Sequence, residues 1–223
     1  MVGSKKKLKR FKENENFENV IQPSRSDLLN EKFFLKGKWN FNFFKNNFPI
    51  VLELGCGKGE YSLFLANKNP NKNYIGIDIK GARFWKGAKT AIESKIHNVA
   101  FLRTQIELLS YCFGENEIDE IWITFPDPQI KFNRTKHRLT NPQMLNIYKN
   151  IIIKKGIIHL KTDSEFLFGY TLGNVTQMGE VIYAHHDIYK NENSPIDSTA
   201  IQTFYEKKFL EKNKSITYMK FRL

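Results

Sequence analysis

The chain has 223 residues, of which 41% are apolar, and a formal net charge of +12 from 35 basic and 23 acidic residues. This length indicates one large domain, or one domain with an extension, that needs no disulfide staple to fold. No apolar run reaches the ~20 residues of a membrane span, and the basic start MVGSKKKLKRFK has no apolar run behind it, which argues against a signal peptide. Cys56 and Cys112 lie far apart and match no zinc spacing, which predicts a reduced, cytoplasmic compartment.

The excess positive charge indicates either a solvated surface or a polyanionic partner, because lysine and arginine release counterions from phosphates. Two clusters favour the polyanion, one within residues 5–12 and one from Lys131 to Arg138. A membrane-surface helix is the weaker interpretation of the first cluster, because few apolar residues accompany it. The first cluster consists of Lys5, Lys6, Lys7, Lys9, Arg10 and Lys12.

Residues 1–47 are polar and show no clear periodicity, which predicts a partly flexible basic arm in front of a domain that spans residues 48–223. The aromatic residues of the arm are expected to dock on that domain. They are Phe33, Phe34, Trp39, Phe41, Phe43 and Phe44.

From residue 48 onward, apolar β-rich runs alternate with helical patterns. This alternation is typical of an α/β fold with a Rossmann-like, doubly wound, mostly parallel sheet of about seven strands. The last two β-runs have no obvious helix between the sheet and the end of the chain, and they predict an antiparallel addition at one edge of the sheet. The predicted strands are 49–54, 73–79, 99–102, 118–125, 156–162, 180–189 and 215–223, and the predicted helices begin at 61 and span 81–96, 142–152 and 164–178.

In such sheets ligands bind outside the carboxyl ends of the strands. The first strand ends in ELGCGKGE, where Gly55, Gly57 and Gly59 allow a tight turn and close approach of a ligand. A dinucleotide fingerprint would place glycine at the position of Glu60. Glu53 would repel a pyrophosphate and attract a cation, so the pattern favours a nucleoside with a positively charged tail over a dinucleotide. An ordinary strand-to-helix turn is the alternative.

The second strand ends at Asp78, 21 residues after Gly57, where a carboxylate accepts hydrogen bonds from both ribose hydroxyls or caps the next helix. The third strand ends at Thr104 and Gln105, whose side-chain oxygens can accept a hydrogen bond from an adenine amino group.

The fourth strand ends in Phe125-Pro126-Asp127-Pro128. Proline fixes its own φ and biases the preceding residue toward extended backbone, so Asp127 is expected in a stiff frame at the mouth of the cleft. The alternative is an ordinary turn. The fifth strand ends at Asp163, a second carboxylate, which as an alternative caps the following helix.

Five segments in this order resemble the bacterial tRNA (guanine-N7-)-methyltransferases: ELGCGKG, GIDI, FPDP with its basic run, HLKTD and TFYE. The first two occur in class I S-adenosylmethionine methyltransferases generally, and the other three are the specific ones. The resemblance covers about residue 48 to the C-terminus. The chain departs from the family at Thr104, where aspartate is common, and at Gln129, where tryptophan is common.

The resemblance implies a role for each matching residue. Asp127 would be the catalytic residue and would also contact the cofactor, S-adenosylmethionine. The other cofactor-binding positions would be Glu53, Gly55, Gly57, Gly59, Asp78, Thr104 and Gln105. The substrate-binding positions would be Lys131, Arg134, Arg138, Asp163, Thr203, Phe204, Tyr205 and Glu206.

The implied reaction is methylation of guanine N7 in tRNA, at the variable-loop guanine (conventional tRNA position 46), with S-adenosylhomocysteine as the second product. Neither a metal nor an obligatory protein partner is expected. Asp127 would hold the guanine, with help from Asp163 or Glu206, while the basic clusters would bind tRNA phosphates.

Two other classes of protein stay open. One is a methyltransferase that acts on a small molecule or a protein, and the other is an RNA-binding module with a residual cofactor pocket. A nicotinamide oxidoreductase is disfavoured by Glu53 and by the glycine spacing. His185 and His186 are adjacent in a predicted strand and therefore expected on opposite faces, which disfavours a metal site there.

Overall fold

The computed structural model describes residues 2–223, with side chains from residue 7 onward. Lys5 and Lys6 of the first basic cluster thus lie outside the described side chains. The helices are α1 (Val2–Asn14), α2 (Arg25–Leu29), α3 (Glu60–Lys68), α4 (Gly81–Glu93), α5 (Leu109–Cys112), α6 (Pro142–Ile151), α7 (Glu165–Met178), α8 (Ile196–Thr199) and α9 (Phe204–Leu210). The strands are β1 (Val20–Ile21), β2 (Ile50–Leu54), β3 (Asn73–Ile77), β4 (Val99–Leu102), β5 (Ile118–Thr124), β6 (Ile152–Thr162), β7 (Glu180–His185) and β8 (Thr217–Arg222). A π-helical turn covers Trp39–Phe44, and 3₁₀ turns cover Ile106–Leu108 and Phe132–His137.

The eight strands form one sheet in the order β1-β4-β3-β2-β5-β6-β8-β7. All neighbouring strands pair in parallel except β8, which runs antiparallel to both β6 and β7. The predicted doubly wound, mostly parallel sheet with an antiparallel edge is confirmed.

The central strands are apolar because helices cover both faces of the sheet. Alternate residues of β2 point to opposite faces: Leu52 and Leu54 join one apolar cluster, and Val51 joins the other. The register sets Leu54 opposite Ile77 and Ile123, so these strands end at the same level. The residues that follow each strand are therefore brought to one edge of the sheet.

The arm carries regular structure, which the sequence pattern did not indicate. Helix α1 packs on α4, where Asn14 Nδ2 donates to Gly81 O at 3.0 Å and Trp85 Nε1 donates to the Glu13 carboxylate at 2.5 Å. Strand β1 adds to the sheet beside β4 as an eighth strand. A strand of two residues is too short to show a period of two, which is why the pattern missed it.

The aromatic residues of the arm divide into docked and exposed groups. Trp39 is fully buried, its Nε1 donates to Cys112 O at 3.1 Å, and its ring stacks on Phe113. The expectation of docking was wrong for Phe34 and Phe41, which are 67% and 79% exposed. The other docked residues are Phe33, Phe43 and Phe44.

Two short helices, α8 and α9, lie between β7 and β8, where no helix was expected. Helix α9 starts with a capping box, in which Thr203 and Glu206 bond each other's backbone N–H groups. The spacing Thr-x-x-Glu was present in the sequence and would have marked this start. None of the described helices is long and apolar enough to cross a membrane.

Candidate active site at the carboxyl ends of the strands

The glycine loop between β2 and α3 forms an open floor. Gly55, Gly57 and Gly59 have φ of 76°, 56° and 74°, a region that side chains disfavour. A Cβ on Gly55 would meet no atom within 4 Å, so the space above it is free. A Cβ on Gly59 would lie 2.5 Å from the Phe101 ring, so packing of α3 against the sheet explains that glycine.

Glu53 lies buried beneath this loop. Its carboxylate accepts hydrogen bonds from Ser62 N at 2.9 Å, from Ser62 Oγ and from Thr124 Oγ1 at 3.0 Å. Burial raises the pKa of Glu53 to about 7, against these hydrogen bonds, which lower it. A cation bound beside Glu53 would therefore favour its ionised form.

A cavity of about 120 Å³ lies at this point. It brings together the glycine loop and Glu53 with Thr203 and Tyr205, which are distant in sequence. The remaining residues of its wall are Cys56, Lys58, Glu60, Tyr61, Arg83, Thr124 and Phe125.

Asp78 is buried at the end of β3 beside the glycine loop. Its carboxylate accepts hydrogen bonds from Gly57 N at 3.2 Å and from Lys80 N at 2.7 Å. These bonds tie the end of β3 to the glycine loop and to the start of α4. Each carboxylate oxygen retains a further lone pair for a ribose hydroxyl.

A second cavity of about 330 Å³ adjoins the end of β4 and contains the predicted adenine-side residues Thr104 and Gln105. The arm forms its other wall through Gln22, Pro23 and Arg25, and the Arg25 guanidinium donates to the Gln105 side-chain oxygen. No sequence pattern indicated this contribution, because the arm lacks a recognisable motif.

The Asp127 loop departs from the expected backbone. Phe125 precedes a proline but has φ of 48° rather than an extended value, and Gln129 has φ of 47°. Left-handed backbone at such residues costs about 1–3 kcal/mol and concentrates at functional sites. Asp127 is exposed and accepts a hydrogen bond from Gln129 N at 3.1 Å. Its catalytic and cofactor-binding roles stay predictions.

Arg138, which is predicted to contact phosphate, is buried in the structure. Its guanidinium is buried against the rings of Phe166 and Tyr170, at 4.7 and 4.4 Å from their centroids. It also donates to the carbonyls of Gln129 and Ile130. Arg138 thus holds the basic loop in place, and its contact with an RNA phosphate stays a prediction.

Lys131 and Arg134 remain exposed on the same loop. Arg134 Nε donates to the Gln129 side chain at 3.2 Å. Both residues keep their predicted access to RNA.

Asp163 is paired and does not cap α7. Its carboxylate lies 2.7 Å from Lys214 Nζ. The N-cap of α7 is Ser164, whose Oγ accepts from Leu167 N at 3.2 Å. The helix-cap alternative for Asp163 was wrong by one residue, and its role at the substrate stays a prediction.

Glu206 differs most from expectation. Its carboxylate is fully buried, 2.6 Å from Lys161 Nζ, and accepts from the Tyr189 hydroxyl at 2.7 Å and from Thr203 N at 3.3 Å. Its side chain has no solvent exposure. The ion pair holds the TFYE segment against β6, and the role of Glu206 at the substrate stays a prediction.

Phe204 and Tyr205 of the TFYE segment face outward beside the first cavity, at 42% and 56% exposure. The Phe204 ring lies between two ammonium groups, Lys58 at 4.0 Å and Lys208 at 4.3 Å from its centroid. The segment therefore presents aromatic and cationic groups together at the rim of the cavity.

A basic groove of about 610 Å³ runs beside the site, between α1 and the start of α4. None of its five cations takes part in the ion pairs found among the described side chains. Arg83 also lines the first cavity and Arg103 the second, so the groove adjoins both. Its cations are Lys7, Arg10, Lys80, Arg83 and Arg103.

His185 and His186 are not on opposite faces of a strand as predicted. Strand β7 ends at His185, the chain turns, and the two rings stack with centroids 4.9 Å apart. Within the part of the chain that the structure describes, no three His, Cys, Asp or Glu side chains converge as metal ligands.

Comparison with known proteins identifies the family. A family model described as "Putative methyltransferase" matches residues 47–219. The tRNA (guanine-N(7)-)-methyltransferase of Christiangramia forsetii is 67% identical over 100% of both chains. The chain belongs to this methyltransferase family. The enzyme of the same name from Bacteroides fragilis is 44% identical over 98% of this chain and 86% of its own length.

Solved structures support the fold. The 16S rRNA methyltransferase KamB superposes with a TM-score of 0.63 over 83% of this chain and 93% of its own, at 12% identity. An antibiotic-related methyltransferase gives a TM-score of 0.61 over 92% and 96%, at 16% identity. The fold is thus that of Rossmann-like methyltransferases.

Proposed function

We propose that this methyltransferase transfers a methyl group from S-adenosylmethionine to N7 of a guanine in tRNA and forms 7-methylguanosine. The full-length relatives of that name support the activity. The observation that carries the proposal is the convergence of the glycine loop, Glu53 and the TFYE segment on one cavity beside a basic groove. The variable-loop guanine is the proposed target.

The residues at the strand ends fit S-adenosylmethionine. The open floor above Gly55 and Gly57 admits a ligand against the backbone. Glu53, with its pKa near 7, suits the methionine ammonium, and Asp78 suits the ribose hydroxyls. We place adenine in the second cavity against Gln105, under cover of the arm.

When bound, S-adenosylmethionine supplies an already activated methyl group, so the transfer needs no metal. Guanine N7 carries a lone pair and no proton, so the protein needs no general base. What remains for the protein is alignment of the guanine and stabilisation of charge. We propose that Asp127 accepts hydrogen bonds from the guanine N1–H and amine, which become better donors as the purine gains positive charge. Because Glu206 is ion-paired with Lys161, we assign the role of assisting Asp127 at the guanine to Asp163.

The RNA-binding surface joins two regions. The basic groove supplies five cations next to the cofactor site, and the loop after Asp127 adds Lys131 and Arg134. Such contacts fix the position of the tRNA rather than read its sequence. Binding should therefore weaken steeply with salt. We further propose a cytoplasmic location, in keeping with the two free cysteines.

The test is methyl transfer from labelled S-adenosylmethionine to unmodified bulk tRNA, followed by digestion to nucleosides and mass spectrometry. The proposal predicts label in 7-methylguanosine. Label in a different nucleoside would contradict the guanine-N7 assignment. Cofactor binding with no label in RNA would favour a small-molecule or protein substrate.

A further inference from the structure

The loop after Asp127 exposes two large apolar side chains. Phe132 is 93% exposed and Ile130 is 65% exposed. Exposed apolar area of this kind is unfavourable in water unless a partner covers it. Neither residue has a role in the proposed chemistry.

Hydrogen bonds within the loop hold Phe132 in this position. Phe132 begins a 3₁₀ turn, and its carbonyl accepts from Thr135 Oγ1 at 2.7 Å. Arg138 fixes the preceding residues through its bonds to the Gln129 and Ile130 carbonyls. The aromatic ring is therefore presented on an ordered support rather than on a loose loop.

The surroundings of Phe132 define the kind of partner. Residues 128–140 contain no acidic residue, and four basic or titratable residues lie within five positions of Phe132 in the sequence. These are Lys131, Arg134, Lys136 and His137. An apolar protein surface would have to desolvate these cations, whereas a nucleic acid supplies both an aromatic face and neutralising phosphates.

We propose that Phe132 stacks on an unpaired nucleobase of the bound tRNA, while the flanking cations contact the phosphates on either side. This inference rests on the proposed tRNA substrate and adds a stacking contact to it. Phe132 lies five residues after Asp127, so the stacked base belongs to the region around the methylated guanine. Phe132 is thus a positioning residue that helps to set the target strand at the cleft.

The test compares Phe132→Ala, Phe132→Leu and Phe132→Trp by equilibrium binding to unmodified tRNA at several salt concentrations. Phe132→Ala should raise the Kd about ten- to a hundredfold, the range expected for loss of one base–aromatic stack. The slope of log Kd against log salt should not change, because no charge is removed. Phe132→Trp should bind like the wild type, and Phe132→Leu should resemble Phe132→Ala.

The matched control is Phe41→Ala. Phe41 is also highly exposed, but its π-helical turn lies at the opposite edge of the sheet, where Asn40 bonds Asn73 at the start of β3. This control should leave the Kd for tRNA unchanged. All four variants should keep the wild-type Tm and Kd for S-adenosylmethionine, since neither phenylalanine contributes to the core.

Wild-type binding by Phe132→Ala would overturn the inference. Full rescue by leucine would overturn stacking, because leucine has no aromatic face. If Phe132→Ala weakens binding but the wild type forms no 7-methylguanosine, the proposed reaction fails while the stacking contact stands. If 7-methylguanosine forms and Phe132→Ala binds normally, the stacking contact alone fails.

Discussion

Lys161 and Glu206 form an ion pair with no solvent exposure on either side chain, with Nζ and Oε1 2.6 Å apart. Lys161 lies on β6 and Glu206 on α9, so the pair fastens the TFYE segment to the sheet. Lys161 Nζ also donates to Ile201 O at 3.3 Å, in the turn before α9. Burial lowers the pKa of Lys161, and Glu206 opposes this by favouring the charged ammonium.

Breaking this pair from one side should be costly. Glu206→Gln leaves the Lys161 ammonium buried without a counter-charge, so we expect a loss of about 3–5 kcal/mol in the free energy of unfolding. Chemical denaturation measures this loss. The double variant Lys161→Met/Glu206→Gln should recover part of it, because the charge is removed.

The control for this experiment is the partly exposed pair of Asp163 and Lys214, which has a similar distance of 2.7 Å. Lys214→Ala should cost less than about 1 kcal/mol, because solvent screens exposed pairs. Equal losses for Glu206→Gln and Lys214→Ala would contradict the structural role of the buried pair.

Cofactor binding should depend on the protonation of Glu53, whose pKa is raised to about 7 by burial. Below that pH Glu53 is mostly neutral and cannot pair with an ammonium, so the Kd for S-adenosylmethionine should rise about tenfold per pH unit. Isothermal titration calorimetry between pH 5.5 and 7.5 measures this. Glu53→Gln should bind weakly with a flat profile, whereas a flat profile in the wild type would refute the pairing.

Asp127→Asn should keep the fold and lose roughly a hundredfold or more in kcat, the scale expected when a reacting group is misplaced. Stability should be retained because Asp127 is exposed and bonds only Gln129 N among its described contacts. Single-turnover kinetics with saturating tRNA measures the loss. The Kd for S-adenosylmethionine shows whether the carboxylate also contacts the cofactor. Near-wild-type turnover would remove Asp127 from the mechanism.

Two arginines of one loop should respond in opposite ways. Arg138→Lys should lower the Tm, because an ammonium cannot reproduce the planar stack on Phe166 and Tyr170 or both carbonyl bonds. Arg134→Ala should leave the Tm unchanged, weaken tRNA binding and reduce the salt slope by about 1 if one phosphate contact is lost. The reverse pattern would show that the loop is arranged differently.

The sequence predicted the sheet well, because its central strands are continuous apolar runs and the residues at their ends are glycines and carboxylates. It did not reveal partners that arise only from tertiary packing. The sequence predicted that Glu206 and Arg138 are free to bind substrate. In the fold, Glu206 is paired with Lys161, and Arg138 stacks on two aromatic rings. Charged residues in a motif indicate function only when the structure leaves them accessible.

The structure of the arm could not be predicted from its sequence. Its polar composition hid a short strand, a helix packed on α4 and one wall of the second cavity. Phe125 does not adopt the extended backbone that a following proline favours, because the Phe125 N–H donates to Lys161 O at 2.8 Å. Local preferences of about a few kcal/mol yield to such tertiary constraints. The boundary at residue 47 stays a prediction.

Two tRNA transcripts that differ at the variable-loop guanine would test the proposed methyl transfer to N7. One carries guanine and the other 7-deazaguanine, which lacks N7 but keeps the N1–H and the exocyclic amine. With labelled S-adenosylmethionine, we expect one methyl group per guanine transcript, recovered as 7-methylguanosine, and none in the deaza transcript, although both bind equally. Equal labelling of both transcripts would contradict the claim that N7 of this guanine accepts the methyl group.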